Sequence, residues 1–530
     1  MAGLPEGGEV RVASVAVRAR PSLAVLLLSG LVAIFFAVEF VGILRATGGS
    51  FIYTLDDPYI HLALSEQIRH GNYGINPGEP ATPASSVLWP FLLVPTGGTP
   101  VHAATPLVLA FLATLASGWL LLRLLDLVSD GAAGRRPVVA AALAAVPLFI
   151  LNWAGVAFTG MEHSAHITAT LAVSVGLVQV AADRGLPWWL VAGLVVGPWL
   201  RYEGLAVTVA GVLVLLLWRR WLVAILALAG AVAPLIAFSL WAVSTGLDPL
   251  PSSVLLKSNL ANGSRSVFAA VKSAVLVAIG NQVFTVLVAA VLAHLLISWR
   301  ITALHVYALV VLGGHAVAGQ FGWFNRYELY AYAAVVPVLV WFARRPLRAV
   351  VEARHPLRFV AAGAALTAGL AAPYVKGAAF IPAASRNIYV QQAQIARFVS
   401  DHWREPVAVN DIGLVAYDGG EYVLDLWGLA SQDVREARAT LDGTEWMAEL
   451  AAEHDVSLVM IYRSWFPEIP GTWEPVAVLT LEVPKVTVGG RAVTFLATSA
   501  ADVDRLRQEL EAFARTLPSG AALTFVDGGP

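Results

Sequence analysis

The sequence predicts a mainly α-helical, polytopic membrane protein that ends in a smaller α/β domain outside the cytoplasm. Three observations carry that prediction. Apolar residues make up 58% of the 530 positions and charged residues 13%, about half the roughly 25% of charge usual in soluble domains. Mean hydropathy is +0.71, and a soluble chain of this length could not cover its surface with so few charges. The composition also changes after residue 376, where acidic residues concentrate and short apolar runs alternate with polar helical stretches. The balance of 34 basic and 36 acidic residues leaves no basic field, so no nucleic-acid partner is expected. Cysteine is absent, which excludes disulfides, thiolate metal sites and cysteine nucleophiles.

A span needs roughly 17–25 apolar residues. Such segments lie near 22–44, 103–125, 138–152, 163–182, 187–200, 204–218, 221–243, 282–298, 302–319, 328–343 and 357–375. About eleven spans are therefore expected, several of them shorter than a full crossing. The first apolar run is too long for a cleavable signal peptide, and no small-residue cleavage site follows it. Arginines orient the bundle. With the N-terminus inside, the inner connections hold Arg11, Arg18, Arg20, Arg123, Arg135, Arg136, Arg219, Arg220 and the run from Arg344 to Arg358. The outer connections carry fewer, so the chain after 376 is placed outside the cytoplasm. Two domains follow: 1–375 in the membrane, and 376–530 as an extracytoplasmic α/β unit.

Polar residues at span edges gather on the outer side. The first outer connection, 45–102, contains TLDDPYIHLALSEQIRHG. Asp56 and Asp57 before Pro58 fit a helix cap with proline in the first turn. That helix would run from Pro58 to about His70 with His61, Ser65 and Arg69 on one face. A second short helix, Val87 to Val94, follows PATPASS, and both would lie at the membrane surface. The acidic pair reads either as a plain cap or as a working group at membrane depth. The second outer turn, FTGMEHSAH, brings Glu162, His163 and His166; the third, PWLRYEG, brings Arg201 and Glu203. The fourth, TGLDPLPSSVLLKSNL, places Lys257 after a proline-rich bend, and the fifth, GQFGWFNRYELY, places Arg326 and Glu328 among aromatics. The scarcity of lysine (257, 272, 376 and 485 alone) singles out Lys257. Ionisable groups near membrane depth are expensive and usually mark a site.

After 376, strand-like runs (PVAVND, YVLDLWG, SLVMIY, PVAVLTLEV, AVTFLA) alternate with helical stretches near 388–403, 431–439, 444–454 and 501–516. SGAALTFVDGGP reads as a loose end. Asn410, Asp411, Asp418 and Asp425 fit ordinary turn chemistry. Trp427, Trp465 and Trp473 suit either sugar stacking or a packed core.

No P-loop, dinucleotide fingerprint or HExxH motif is present, so a bound cytoplasmic nucleotide is not expected. Transfer from a lipid-linked phosphate fits the polar set: an aspartate as base on an acceptor hydroxyl, cations on the departing phosphate. The acidic pair after span one, the TGMEH, RYEG and FNRY turns and the PSSVLLK segment together resemble the GT-C superfamily of polyprenyl-phosphate-sugar-dependent glycosyltransferases. The bacterial branch related to protein mannosyltransferases and aminoarabinose transferases looks closest. The resemblance covers the membrane part, and extends to the tail if VAVNDIGLVAYDGGEYVLDLWGLA is the recurrent C-terminal element.

It implies a polyprenyl-phosphate-linked sugar donor, a glycan, lipid or protein acceptor, and inversion. Asp57, or failing it Asp56, would be the base. Glu162, with His61 and His163 beside it, would shape the acceptor site. Arg201, Lys257 and Arg326 would hold the donor phosphate. Tyr202 replaces the proline common in the RYEG turn, which puts the detailed role of Arg201 in question. Some members use a divalent cation such as Mg or Mn, for which Asp57 and Glu162 would be the ligands. A secondary transporter and a glycan polymerase or ligase are the rival readings. The transporter would show matching halves with charges near the midplane.

Overall fold

The computed structural model describes residues 22–257 and 267–526, the side chains of 256, 257 and 267–271 excepted. Each predicted apolar segment is helical. Five helical segments are long and apolar enough to cross a membrane alone: Leu23–Ala46, His102–Val128, Pro137–Thr159, His163–Ala181 and Trp221–Ser244. Two more count if bent pairs are single spans, Lys272–Gly280 with Gln282–Ser298 (94°) and Pro356–Leu370 with Ala372–Ala379 (88°). The protein is multi-pass, with five to seven full-length spans among the described residues. The helix Val267–Gly280 was not expected from the sequence.

The other four predicted spans, Trp188–Leu200, Gly204–Leu217, Ala303–Ala318 and Leu329–Phe342, have 13, 14, 16 and 14 residues. At about 1.5 Å per residue they fall short of a hydrocarbon core of roughly 30 Å. Each of these two pairs is joined by one of the polar turns, and the arginine of each turn is buried: Arg201 is 6% exposed and Arg326 1%. Irregular backbone at such depth is stable where protein surrounds it.

Between the first two spans stand the two expected short helices, Asp57–Arg69 and Trp89–Leu93. The C-terminal part forms one sheet of six strands: β1 Val407–Val409, β2 Val423–Asp425, β3 Leu458–Ile461, β4 Glu474–Leu481, β5 Ala492–Ala497 and β6 Ala521–Phe525. Their order is β2-β1-β3-β5-β4-β6. β1 is parallel to β2 and β3, whereas the β3–β5, β5–β4 and β4–β6 pairs are antiparallel. Strand β6 corrects the reading of the last residues as a loose end. AALTF pairs along its whole length with Ala477 to Leu481, and its small, weakly alternating side chains carry no strand signal without that partner.

The sheet does not stand apart. Tyr53, Tyr59, Leu62 and Trp89 of the first outer loop share one apolar core with Phe398, Leu414, Met460 and Phe495. Asn76 of that loop also closes the open edge of β2, donating from Nδ2 to the Val423 carbonyl at 3.0 Å and accepting at Oδ1 from its N–H at 3.0 Å. Asn76→Ala would leave both strand groups unpaired, at about 1–3 kcal/mol each when buried. We expect it to lower the thermal midpoint of the purified protein by several degrees, measured by differential scanning fluorimetry.

Candidate active site

The five outer turns meet. Asp57, the first residue of the helix Asp57–Arg69, pairs with the Arg326 guanidinium of the fifth turn. Ser85 of the first loop donates to Glu162 of the second turn at 2.8 Å. Glu162 accepts from Arg201 of the third turn at 2.6 Å, and its other oxygen lies 3.7 Å from His61. Arg201 also binds Glu203 at 2.7 Å and approaches His163 Nε2 at 3.3 Å. The fourth turn joins through Ser252, whose hydroxyl lies 3.3 Å from that of Thr82, and through Ser253, which donates to the Ala84 carbonyl at 2.8 Å. Arg435 of the C-terminal part fastens that turn again, at Ser252 and Asp248. Lys257 ends the helix Ser252–Lys257, and its side chain lies outside the described residues. The Tyr327 ring sits between the two arginines, with Arg326 4.9 Å and Arg201 5.6 Å from its centroid.

Asp56 and Asp57 have different work. Asp56 occupies the cap position of its own helix yet makes no side-chain bond there, which corrects the reading of it as that helix's cap. Its carboxyl instead accepts from Gly413 N–H at 2.6 Å and Leu414 N–H at 2.9 Å, at the start of the C-terminal helix Gly413–Asp418. Gly413 is required for this contact, since a β-carbon there would lie 2.1 Å from the Asp56 carbonyl oxygen. Asp56 is 5% exposed. Burial, and then the neighbouring Asp411 carboxylate, push its carboxyl well above the usual range.

Asp57 faces a cavity of about 460 Å³ between the membrane part and the sheet, lined also by Arg326, Trp323, Asp411, Trp427 and Trp465. The far wall is the carboxyl end of the parallel strands. Asn410 and Asp411 follow β1, Asp425 ends β2, and Trp465 follows β3. Ligand sites of parallel sheets form at that end. Burial, and next the Asp57 carboxylate, raise Asp411 to about 6; Gln392 at 2.9 Å and the Tyr462 hydroxyl at 3.3 Å donate to it. Arg326 lines the cavity while fully buried, and its Nε and Nη1 have no hydrogen-bond partner among the described residues. A smaller cavity of about 210 Å³ adjoins it, sharing Gln320 and Tyr327, and is lined by Ser85, Arg201, Tyr202 and Ser253.

Glu162, His61 and His163 therefore gather around Arg201 rather than lining the larger cavity with Asp57. Asp57 and Glu162 are each engaged by an arginine. No group of three His, Asp or Glu side chains among the described residues could hold a metal ion. The residues present do not fit the divalent cation the resemblance allows, and no step below runs through one. The sequence reads Asp411 as a turn residue and leaves Trp427 and Trp465 open between sugar stacking and a packed core; all three line the cavity. The one signal that could have placed them is their position after apolar strand-like runs. Trp473 is 4% exposed and packs in the core instead.

Two outcomes follow. Asp56→Asn turns one of the two accepting oxygens into an NH2 donor that faces an amide N–H, and Asp56→Ala removes both acceptors; each should lose about 2 kcal/mol or more of stability, read by thermal melting. Asp411 holds its proton to about 6 against a usual 3.8, so its ionisation opposes folding as pH rises through that interval. Asp411→Asn should melt above the parent protein at pH 7.5, and the gap should close by about pH 4.

A family model described as a domain of unknown function (DUF8728) matches residues 386–496, which span β1 to most of β5. No curated protein matches the chain. Among solved structures, ArnT from Cupriavidus metallidurans in the apo state is similar at 13% identity and a TM-score of 0.51, over 89% of this chain and 98% of that one. The oligosaccharyltransferase of Archaeoglobus fulgidus in the apo form is similar at 12% identity and a TM-score of 0.50, over 86% of this chain and 73% of that one. Identities this low speak to the fold alone, and the chain has the fold that these two structures share.

Proposed function

We propose that the protein transfers a sugar from a polyprenyl-phosphate donor to an acceptor hydroxyl at the outer face of a bacterial cytoplasmic membrane, with inversion. The observation that carries this reading is Asp57, a carboxylate 25% exposed to the cavity and paired with the buried Arg326. Asp57 takes the proton of the acceptor hydroxyl as that oxygen attacks the anomeric carbon. The bond from that carbon to the phosphate oxygen breaks, and its electron pair leaves with the lipid phosphate. One displacement inverts the centre. No general acid is needed, because the phosphate is already a good leaving group.

Arg326 meets the phosphate charge with Nε and Nη1, the two nitrogens unpartnered among the described residues. Lys257, at the end of a helix tied to the first loop, is the second cation in this proposal. Arg201 is already met by Glu162 and Glu203. Its part is to hold the second and third turns together rather than to bind the donor. The polar groups lie under a folded cap at one end of the bundle, an arrangement that serves group transfer better than alternating access.

Purified protein in lipid nanodiscs, given a panel of radiolabelled polyprenyl-phosphate sugars and candidate acceptors, tests the reading. Asp57→Asn should cut transfer on the order of a thousandfold, assayed below its melting midpoint, which should fall because the buried Arg326 loses its counter-charge. Arg326→Gln should cost on the order of a hundredfold. Full transfer by Asp57→Asn, or no transfer from any donor, would sink the proposal.

A further inference from the structure

The wall of the cavity opposite Asp57 has a composition of its own. Trp427 and Trp465 face each other with ring centroids 4.8 Å apart at 52°, and both remain half-buried at the cavity surface. Both rings are fixed from behind. Arg438 stacks over Trp427 at 4.1 Å and donates to its carbonyl at 2.7 Å. Tyr462 packs edge-on against Trp465 at 5.3 Å, and Gly489 lies so close to Trp465 that a β-carbon would come within 2.7 Å of the ring. Beside the rings, Asn410 is 7% exposed. Asn410 lines the same cavity; its Oδ1 accepts from the Tyr462 N–H at 2.8 Å, while its buried Nδ2 has no hydrogen-bond partner among the described residues. A buried amide without a partner costs free energy unless a ligand satisfies it.

Resting on the transfer reading above, we propose that this wall is the acceptor subsite and that the acceptor is a neutral glycan. Flat, pre-positioned aromatic faces suit the C–H faces of sugar rings, and amide and carboxylate groups at their margin suit hydroxyls. Two other acceptor classes fit less well. A phosphorylated lipid headgroup would meet Asp411 and Asp425 on this wall, and like charges repel. An extended peptide would need a free strand edge to pair with, yet the near edge, β2, is closed by Asn76 at Val423. The other edge, β6, stands at the far side of the sheet.

The test uses the full-length purified protein and an array of di- to tetrasaccharides of mannose, arabinose, galactose, glucose and N-acetylglucosamine, with an extended peptide and a lipid A preparation as comparators. Binding is read by tryptophan fluorescence and calorimetry. At least one oligosaccharide should bind, Trp427→Ala and Trp465→Ala should each weaken it about tenfold or more, and Trp465→Phe should restore part of the loss. Asn410→Asp should weaken it as well, since a donor becomes an acceptor. Glycan binding without any transfer sinks the transferase reading alone, which separates this inference from the chemistry. Transfer with no glycan binding, binding unaffected by either tryptophan variant, or preferential capture of the peptide or the lipid at the tryptophans overturns the acceptor assignment.

Discussion

One buried carboxyl decides where the next residue points. Asp56 is held by the Gly413 and Leu414 amides of the C-terminal part, so the start of the helix Asp57–Arg69 cannot rotate or slide without breaking those bonds. Asp57 is the adjacent residue, and its direction into the cavity is inherited from that anchor. The anchor also explains why loop and sheet bury one common apolar core. Two buried N–H groups at a helix start need an acceptor, and the outer loop supplies it from another part of the chain. The acidic pair is thus one residue for holding the two parts together and one for facing the cavity between them.

Much of this was legible in order along the chain. The apolar runs placed the eleven predicted segments because burial in lipid or protein demands continuous hydrophobicity, and the Asp-Pro signature placed the helix Asp57–Arg69 within a residue. Strand β6 was not legible, since AALTF carries few large side chains and depends on β4 for its hydrogen bonds. Asp56 misled because Asp before Pro usually caps its own helix, and a carboxyl that turns outward to a helix more than 350 positions away leaves no local trace. Trp427 and Trp473 illustrate the same boundary. Trp427 follows the run of β2 and Trp473 precedes that of β4; one lines the cavity and the other fills the core, and the difference lies in which neighbour covers each ring.

The gathering of outer turns was an expectation that sequence could state but not localise. The structure divides the polar residues into two groups. One is a closed ionic cluster in which Arg201 has Glu162 and Glu203 for partners, with His61 and His163 at its edge. The other is an open pair, Asp57 with Arg326, bordering the larger cavity. Buried charges without partners are unstable, so the closed cluster can hold turns two and three at membrane depth. A site that must accept a charged ligand needs instead a cation whose remaining donors are unspent.

That distinction gives the proposed reaction an economical path for charge. Before transfer, Arg326 faces one carboxylate and, on the donor side, a phosphate bearing a single negative charge. When the acceptor proton reaches Asp57, that carboxylate becomes neutral at the moment the departing phosphate gains a second negative charge. The negative charge has moved from one side of a buried arginine to the other, and the guanidinium opposes it at both ends without leaving its place. In a medium of low dielectric constant, such pre-positioned compensation is worth far more than the same charge in water. Arg201 could not act in this way, because its two carboxylate partners are not consumed by the reaction and would repel an arriving phosphate throughout.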